Sequence, residues 1–222
     1  MQYITARTLE LWNCFLALLF PQSARVAEVE QMNSATFHDA VPPLPFQPSE
    51  WVLPLFPYEN LLVKTAVWEV KYRGNSTLAR LMGELLAGEL AEWLIELSET
   101  GNFREPLLIP IPLAKKREQK RGGNQCEILA REMMRELSGM IELNTNLLIK
   151  IKETESQTKS KNRDARIKNL EGCFAVKNPA EIKNRNIVLL DDVTTTGATL
   201  AEARKTLLAR GARKVIAIAF AH

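Results

Sequence analysis

In this 222-residue chain the residues best suited to chemistry lie between Asn186 and Leu200, in the run NIVLLDDVTTTGATL. An apolar stretch with the character of a buried strand ends in two adjacent carboxylates, Asp191 and Asp192. A loop of small residues follows (Thr194, Thr195, Thr196, Gly197, Ala198, Thr199), and then a helical pattern begins. Ligands of open α/β sheets sit at the carboxyl ends of strands. A helix N-terminus behind a glycine-containing loop offers backbone N–H groups to an anion. The combination fits a phosphate next to a polyol. The loop cradles the phosphate, threonine hydroxyls add donors, Gly197 lets the backbone approach, and the carboxylates accept hydrogen bonds from sugar hydroxyls. A Walker-type lysine is missing, so nucleoside triphosphate hydrolysis fits poorly. Paired aspartates after a strand also open receiver domains, but those need two more functional strands, and the chain ends too soon after Asp192. A simple helix cap needs one aspartate, not two with TTTGAT behind them.

Charge supplies a second signal. Residues 113–121 carry Lys115, Lys116, Arg117, Lys120 and Arg121 against Glu118, and residues 150–168 carry seven basic side chains against three acidic ones. With a net charge of only +3 for the whole chain, the rest is acidic. Two basic segments on an acidic body suggest a local anion more than general adhesion to nucleic acid. Solvated surface runs are the competing interpretation. Neither segment contains Phe, Tyr or Trp, whereas single-strand binders pair basic grooves with stacking aromatics. Direct nucleic-acid binding is therefore not expected unless the proline-aromatic segment at 41–57 lies beside these loops.

Composition sets outer bounds. With 46% hydrophobic and 25% charged residues, the chain is neither disordered nor collagenous nor a polytopic membrane protein. Its two histidines, His38 and His222, exclude a histidine-rich metal site. Cys14, Cys126 and Cys173 are odd in number and widely spaced. They build neither a disulfide framework nor a CxxC zinc site, and they favour a reducing, cytoplasmic setting. Leu9–Phe20 is apolar but too short to span a bilayer. It reads as an amphipathic helix stopped by Pro21, with the core of a signal peptide as the lesser alternative.

The elements that must position the site alternate. Residues 41–57 hold six of the eleven prolines, with Phe46, Trp51 and Phe56 among them, and read as an extended segment lying against the core. A helix follows from about Leu61 to KYRG, with Gly74 as its stop. Thr77–Leu97 carries apolar residues at helical spacing. PLLIPIPL reads as a buried strand, Asn124–Leu137 as a helix, and LLIKI, GCFAV, NIVLL and KVIAIAF as strands. A final helix spans Thr199–Ala209. The fold class expected is α/β, a mostly parallel sheet covered by helices on both faces. It occupies residues 58–222, after an N-terminal appendage of residues 1–57.

IVLLDDVTTTGAT resembles the phosphoribosyl-pyrophosphate signature of type I phosphoribosyltransferases. KYRG at 71–74, IPIPLAKKREQKRGGNQ at 109–125 and TESQTKSKNRDARIKNLEGCF at 154–174 resemble one branch, the competence protein ComF family. The resemblance covers about residues 58–221. It implies that Asp191 and Asp192 bind the ribose 2′ and 3′ hydroxyls and that Thr194–Thr199 hold the 5-phosphate. It places Lys115, Lys116 and Arg117 on the pyrophosphate side and lets Arg163 and Arg166 close over the substrate. Mg²⁺ is the implied cofactor, held mainly by the substrate and not by direct protein ligands. Thr154 and Gln157 match family positions without a physical role, and Lys71 and Tyr72 suit either packing or the site edge. Many members begin with a four-cysteine zinc ribbon; here QSARVAEVEQ stands in that region, so no zinc is expected. The implied activity is transfer of phosphoribose to a nitrogen nucleophile with loss of pyrophosphate. The alternatives are a non-catalytic DNA-uptake component that binds a helicase-like partner or single-stranded DNA, and a regulator that senses phosphoribosyl pyrophosphate.

Overall fold

A computed structural model describes residues 24–45, 51–152 and 170–222 of the chain. The apolar run at 9–20, Arg163 and Arg166, and Thr154 and Gln157 lie outside the described residues.

Five strands form one sheet in the order β1-β7-β6-β2-β3, and every pairing is parallel. They are β1 (Val52–Phe56), β2 (Leu107–Pro110), β3 (Glu142–Leu143), β6 (Asn186–Val193) and β7 (Lys214–Ala221). Alternate residues of β6 face opposite sides. Val188 and Leu190 join the core under the long helices, whereas Ile187 and Leu189 join a second core on the other face. All four are fully buried, each stabilising the fold by roughly 1.5–3 kcal/mol. Two covered faces are why the strand sequences read as continuous apolar runs.

One face is covered by α3 (Leu61–Arg73), α4 (Ser76–Gly101) and α6 (Gln125–Met133), and the other by α8 (Ala198–Ala209). Asparagines set the starts of the first three: Asn60, Asn75 and Asn124 accept from Leu62, Leu78 and Cys126 backbone N–H groups, which fills donors a helix leaves open. Gly74, at φ 64°, ends α3 in the left-handed region, as its position in KYRG predicts. Where α4 crosses α6, a side chain at Gly83 would run into the Glu132 side chain and the α6 backbone, so glycine permits the close approach.

Three features differ from the sequence expectation. Val52–Phe56 is an edge strand hydrogen-bonded to β7, although it lies N-terminal to residue 58 and contains Pro54; an edge strand tolerates the missing donor. LLIKI and GCFAV supply β4 (Leu148–Lys150) and β5 (Phe174–Val176), which pair antiparallel with each other and form a separate arm. Residues 24–40, weakly patterned in sequence, form two short helices, α1 (Ala24–Glu30) and α2 (Ser34–Ala40). The run KKREQKR forms α5 (Lys115–Arg121), and α7 (Pro179–Ile182) is a single turn. Among the described residues, no helix is long and apolar enough to cross a membrane.

Candidate functional site

Strand β6 continues through the carboxylate pair to Val193, and at its carboxyl end oxygens of Asp191 and Asp192 lie within 4.8 Å of each other and of the Cys126 sulfur. Asp192, on the side of α3, meets Lys71, with Nζ 3.0 Å from Oδ1. Asp191 accepts from the Asp192 N–H at 3.0 Å and from the Cys126 thiol at 3.5 Å. Cys126 is placed by Asn124, which caps α6 and donates its side-chain amide to the Ile111 carbonyl just beyond β2. The strand end and the helix start are thereby locked together.

The two carboxyls are electrostatically unequal. Burial, reinforced by the neighbouring Asp192 charge, raises the Asp191 pKa from 3.8 to about 7; Lys71 and the two donors only partly offset this. Burial works against the Lys71 ammonium, but Asp192, with a smaller contribution from Asp191, outweighs it and holds the pKa above the ordinary lysine value. Burial and both carboxylates push the Cys126 thiol well up, so it stays a neutral donor. Asp192 therefore has a cation for a partner, and Asp191 has neutral donors.

These groups line a cleft of 470 Å³. Its far wall is basic: Arg117 and Arg121, one helical turn apart on α5, and Lys150 at the end of β4. Burial, with the Arg117 guanidinium adding to it, lowers the Lys150 pKa. Tyr58, Trp68 and Tyr72 line it as well. Trp68 and Tyr72 are 47% and 58% exposed, and they form part of a ladder. Arg73 lies over Trp68 at 5.2 Å, the two rings are 5.4 Å apart, and Arg121 lies over Tyr72 at 5.3 Å.

The threonine loop closes the third side. The Thr194 N–H donates to the Ala221 carbonyl at 2.9 Å, tying the loop to β7. Gly197 adopts φ 70° at the N-cap of α8, and no side chain caps that end. Thr195 and Thr199 face the carboxylate cleft. Thr194, Thr196 and Gly197 face a neighbouring cleft of 850 Å³ with the apolar wall Leu44, Pro45, Trp51, Val52 and Pro54, which Thr195 also borders. The larger cleft holds neither carboxylate and none of the cations, so the smaller one is the place for chemistry.

The sequence-level candidates divide accordingly. Asp191, Asp192, Thr195, Thr199 and Arg117 come together around one cleft. Ala198 begins α8, its N–H 3.4 Å from the Thr196 hydroxyl. Lys115 and Lys116 are exposed on α5 and do not line the cleft. Lys71 and Tyr72 belong to it, and Cys126, which reads as a small buried residue, also touches Asp191. The sequence alone assigns no individual role to Arg121 or Lys150. Helical spacing within KKREQKR would have paired Arg121 with Arg117, whereas nothing local marks Lys150.

The phosphoribosyl transferase domain family matches residues 83–222. Competence protein ComFC of Bacillus subtilis (strain 168) is 31% identical over 153 residues, which are 68% of this chain and 56% of that protein. DNA utilization protein YhgH of Escherichia coli O157:H7 is 30% identical over 173 residues, covering 78% and 71%. The chain thus spans little more than half the length of the Bacillus relative. A solved L. donovani hypoxanthine-guanine phosphoribosyl transferase aligns at 15% identity and a TM-score of 0.39, covering 65% of this chain and 67% of that one.

Proposed function

Because the chain belongs to the competence protein ComF family of type I phosphoribosyltransferases, we propose that it binds Mg-phosphoribosyl pyrophosphate and transfers phosphoribose to a nitrogen nucleophile. The observation that carries this reading is the meeting of three unlike surfaces around one cleft. Carboxylates on β6 suit ribose hydroxyls. Thr195 and Thr199, the residues of the threonine loop and the first turn of α8 that line this cleft, suit the 5-phosphate. Arg117, Arg121 and Lys150 suit the pyrophosphate.

The reaction breaks the bond between the anomeric carbon and pyrophosphate and forms one to nitrogen from the opposite face, inverting that carbon. Negative charge grows on the departing pyrophosphate, where the basic wall stabilises it. The ribose becomes oxocarbenium-like, and Asp192, paired with Lys71, lines the same cleft. Mg²⁺, where present, would come with the substrate and offset the charge of its pyrophosphate. The protein's own donor set does not suit a resident Mg²⁺: the nearby groups are two carboxylates and a thiol, Mg²⁺ demands oxygen ligands, and Lys71 already holds Asp192.

Incubation with phosphoribosyl pyrophosphate, Mg²⁺ and a panel of purines, pyrimidines and ammonia should release pyrophosphate with at least one acceptor. The Asp191→Asn, Asp192→Asn double variant should release at least 100-fold less. Release no faster than the double variant's with every acceptor would remove the transferase reading and leave that of a binding protein.

One observation favours a second reading, single-stranded DNA binding. Aromatics do lie beside cations here, on α3 and not in the basic runs, in the ladder Arg73–Trp68–Tyr72–Arg121. Base stacking on an aromatic contributes about 1–3 kcal/mol per base. A Trp68→Ala, Tyr72→Ala variant should therefore bind an oligothymidine roughly 10-fold or more weakly. Equal affinity, read by fluorescence anisotropy at low salt, would remove the ladder from any DNA role.

A further inference from the structure

The site carries a positive charge of its own at the place where the sugar's carboxylates lie. Lys71 reaches Asp192 at 3.0 Å with a side chain only 19% exposed. Its direction is built in by the surrounding structure. The buried Gln125 side chain reaches the Lys71 carbonyl at 3.5 Å and accepts from Arg121 at 3.1 Å, joining α3 to α5 and α6. Gly74 ends the helix three residues on, so Lys71 projects from the last turn of α3 into the cleft.

The result is an adjacent carboxylate pair balanced without a metal. A buried pair of like charges needs a cation, hydroxyls or a proton to persist. Lys71 supplies the first to Asp192, while the Cys126 thiol and a backbone N–H serve Asp191. A divalent ion placed between the carboxylates would have to displace the ammonium and would meet further repulsion from Arg117 and Lys150 across the cleft.

We infer that Lys71 is the resident counter-cation of the ribose subsite, pairing with Asp192 and orienting it so that the protein recognises a ribose phosphate with no metal at its carboxylates. This rests on the phosphoribosyl reading above. Lys71 is thus a positioning residue, and metal is needed only by ligands that carry a pyrophosphate.

Ribose 5-phosphate, which lacks the pyrophosphate, separates the two demands. Calorimetric titration into wild type should give the same affinity, within twofold, in EDTA and in Mg²⁺. Lys71→Met should lose at least 30-fold in EDTA and recover part of that in Mg²⁺ or Mn²⁺. Lys71→Arg, which keeps the charge, should lose less than 10-fold. A merely structural lysine would not make binding metal-responsive. Wild-type affinity falling more than 10-fold in EDTA, or Lys71→Met binding as wild type does, would overturn the inference. So would wild type binding Mg-phosphoribosyl pyrophosphate but not ribose 5-phosphate. Binding of neither compound by wild type would overturn the phosphoribosyl reading, and this inference with it.

Discussion

Gly197→Val is expected to abolish measurable binding of both phosphoribosyl pyrophosphate and ribose 5-phosphate, a loss of at least 100-fold, in a protein that still folds. Gly197 sits at φ 70° directly before α8, a conformation that a β-branched residue adopts at a cost of roughly 1–2 kcal/mol. A Cβ there would meet no atom within 4 Å beyond its chain neighbours. The substitution therefore acts through the backbone: it alters the loop that presents Thr195 and Thr199 to the carboxylate cleft. The expected fall in melting temperature is modest, about 2–8 °C for a chain of this size. Gly197→Ala, with the same sign but a smaller side chain, should lose less. Gly197→Val binding ribose 5-phosphate within twofold of wild type would remove the threonine loop from the phosphate site.

Asp191→Asn is expected to destroy ligand binding while making the ligand-free protein more stable at pH 8. The Asp191 carboxyl titrates near pH 7 in the fold against 3.8 for the free group. The folded state therefore holds this proton more tightly than the unfolded state does. The group's contribution is most favourable below about pH 4 and is lost as pH rises through 7. A shift of one unit is about 1.4 kcal/mol, so the whole effect is on the order of a few kcal/mol. Burial and Asp192 raise the Asp191 pKa, Lys71, the Asp192 N–H and the Cys126 thiol lower it, and Lys150 stands further off. Asparagine cannot ionise and keeps the shape. The gain in melting temperature at pH 8 should amount to several degrees and be more than twice that at pH 5. A variant less stable than wild type at pH 8, or a gain independent of pH, would show that Asp191 is not held against its ionisation. A carboxylate kept at a cost to stability is one that a ligand needs.

The sequence makes the carboxylate strand, the threonine loop and α8 legible because the signal there is local: an apolar run, two acids, small hydroxylated residues and a helical pattern in direct succession. The long α4 is legible for a similar reason, since its apolar spacing persists over many turns. β1 is hidden by its own prolines, because Pro54 argues against a strand until the sheet order shows that Val52–Phe56 is an edge. The basic run at 113–121 announces an anion but not which cations meet it. Only its folding as α5 turns Arg117 and Arg121 toward the cleft and leaves Lys115 and Lys116 exposed. Lys71 and Lys150 reach the site from α3 and from the separate β4–β5 arm. Their roles depend on contacts across 121 and 41 positions of chain to Asp192 and Asp191, which no local pattern records. The aromatic ladder is hidden likewise, because Arg121 joins Trp68 and Tyr72 only in the folded chain.

The measurement that tests the central claim most directly is calorimetric titration of phosphoribosyl pyrophosphate with Mg²⁺ into wild type and into the Asp191→Asn, Asp192→Asn double variant. Saturable binding of one equivalent to wild type, lost in a folded double variant, is the expected result. No binding to folded wild type, or equal binding by both proteins, would contradict the assignment of this cleft to a phosphoribosyl ligand.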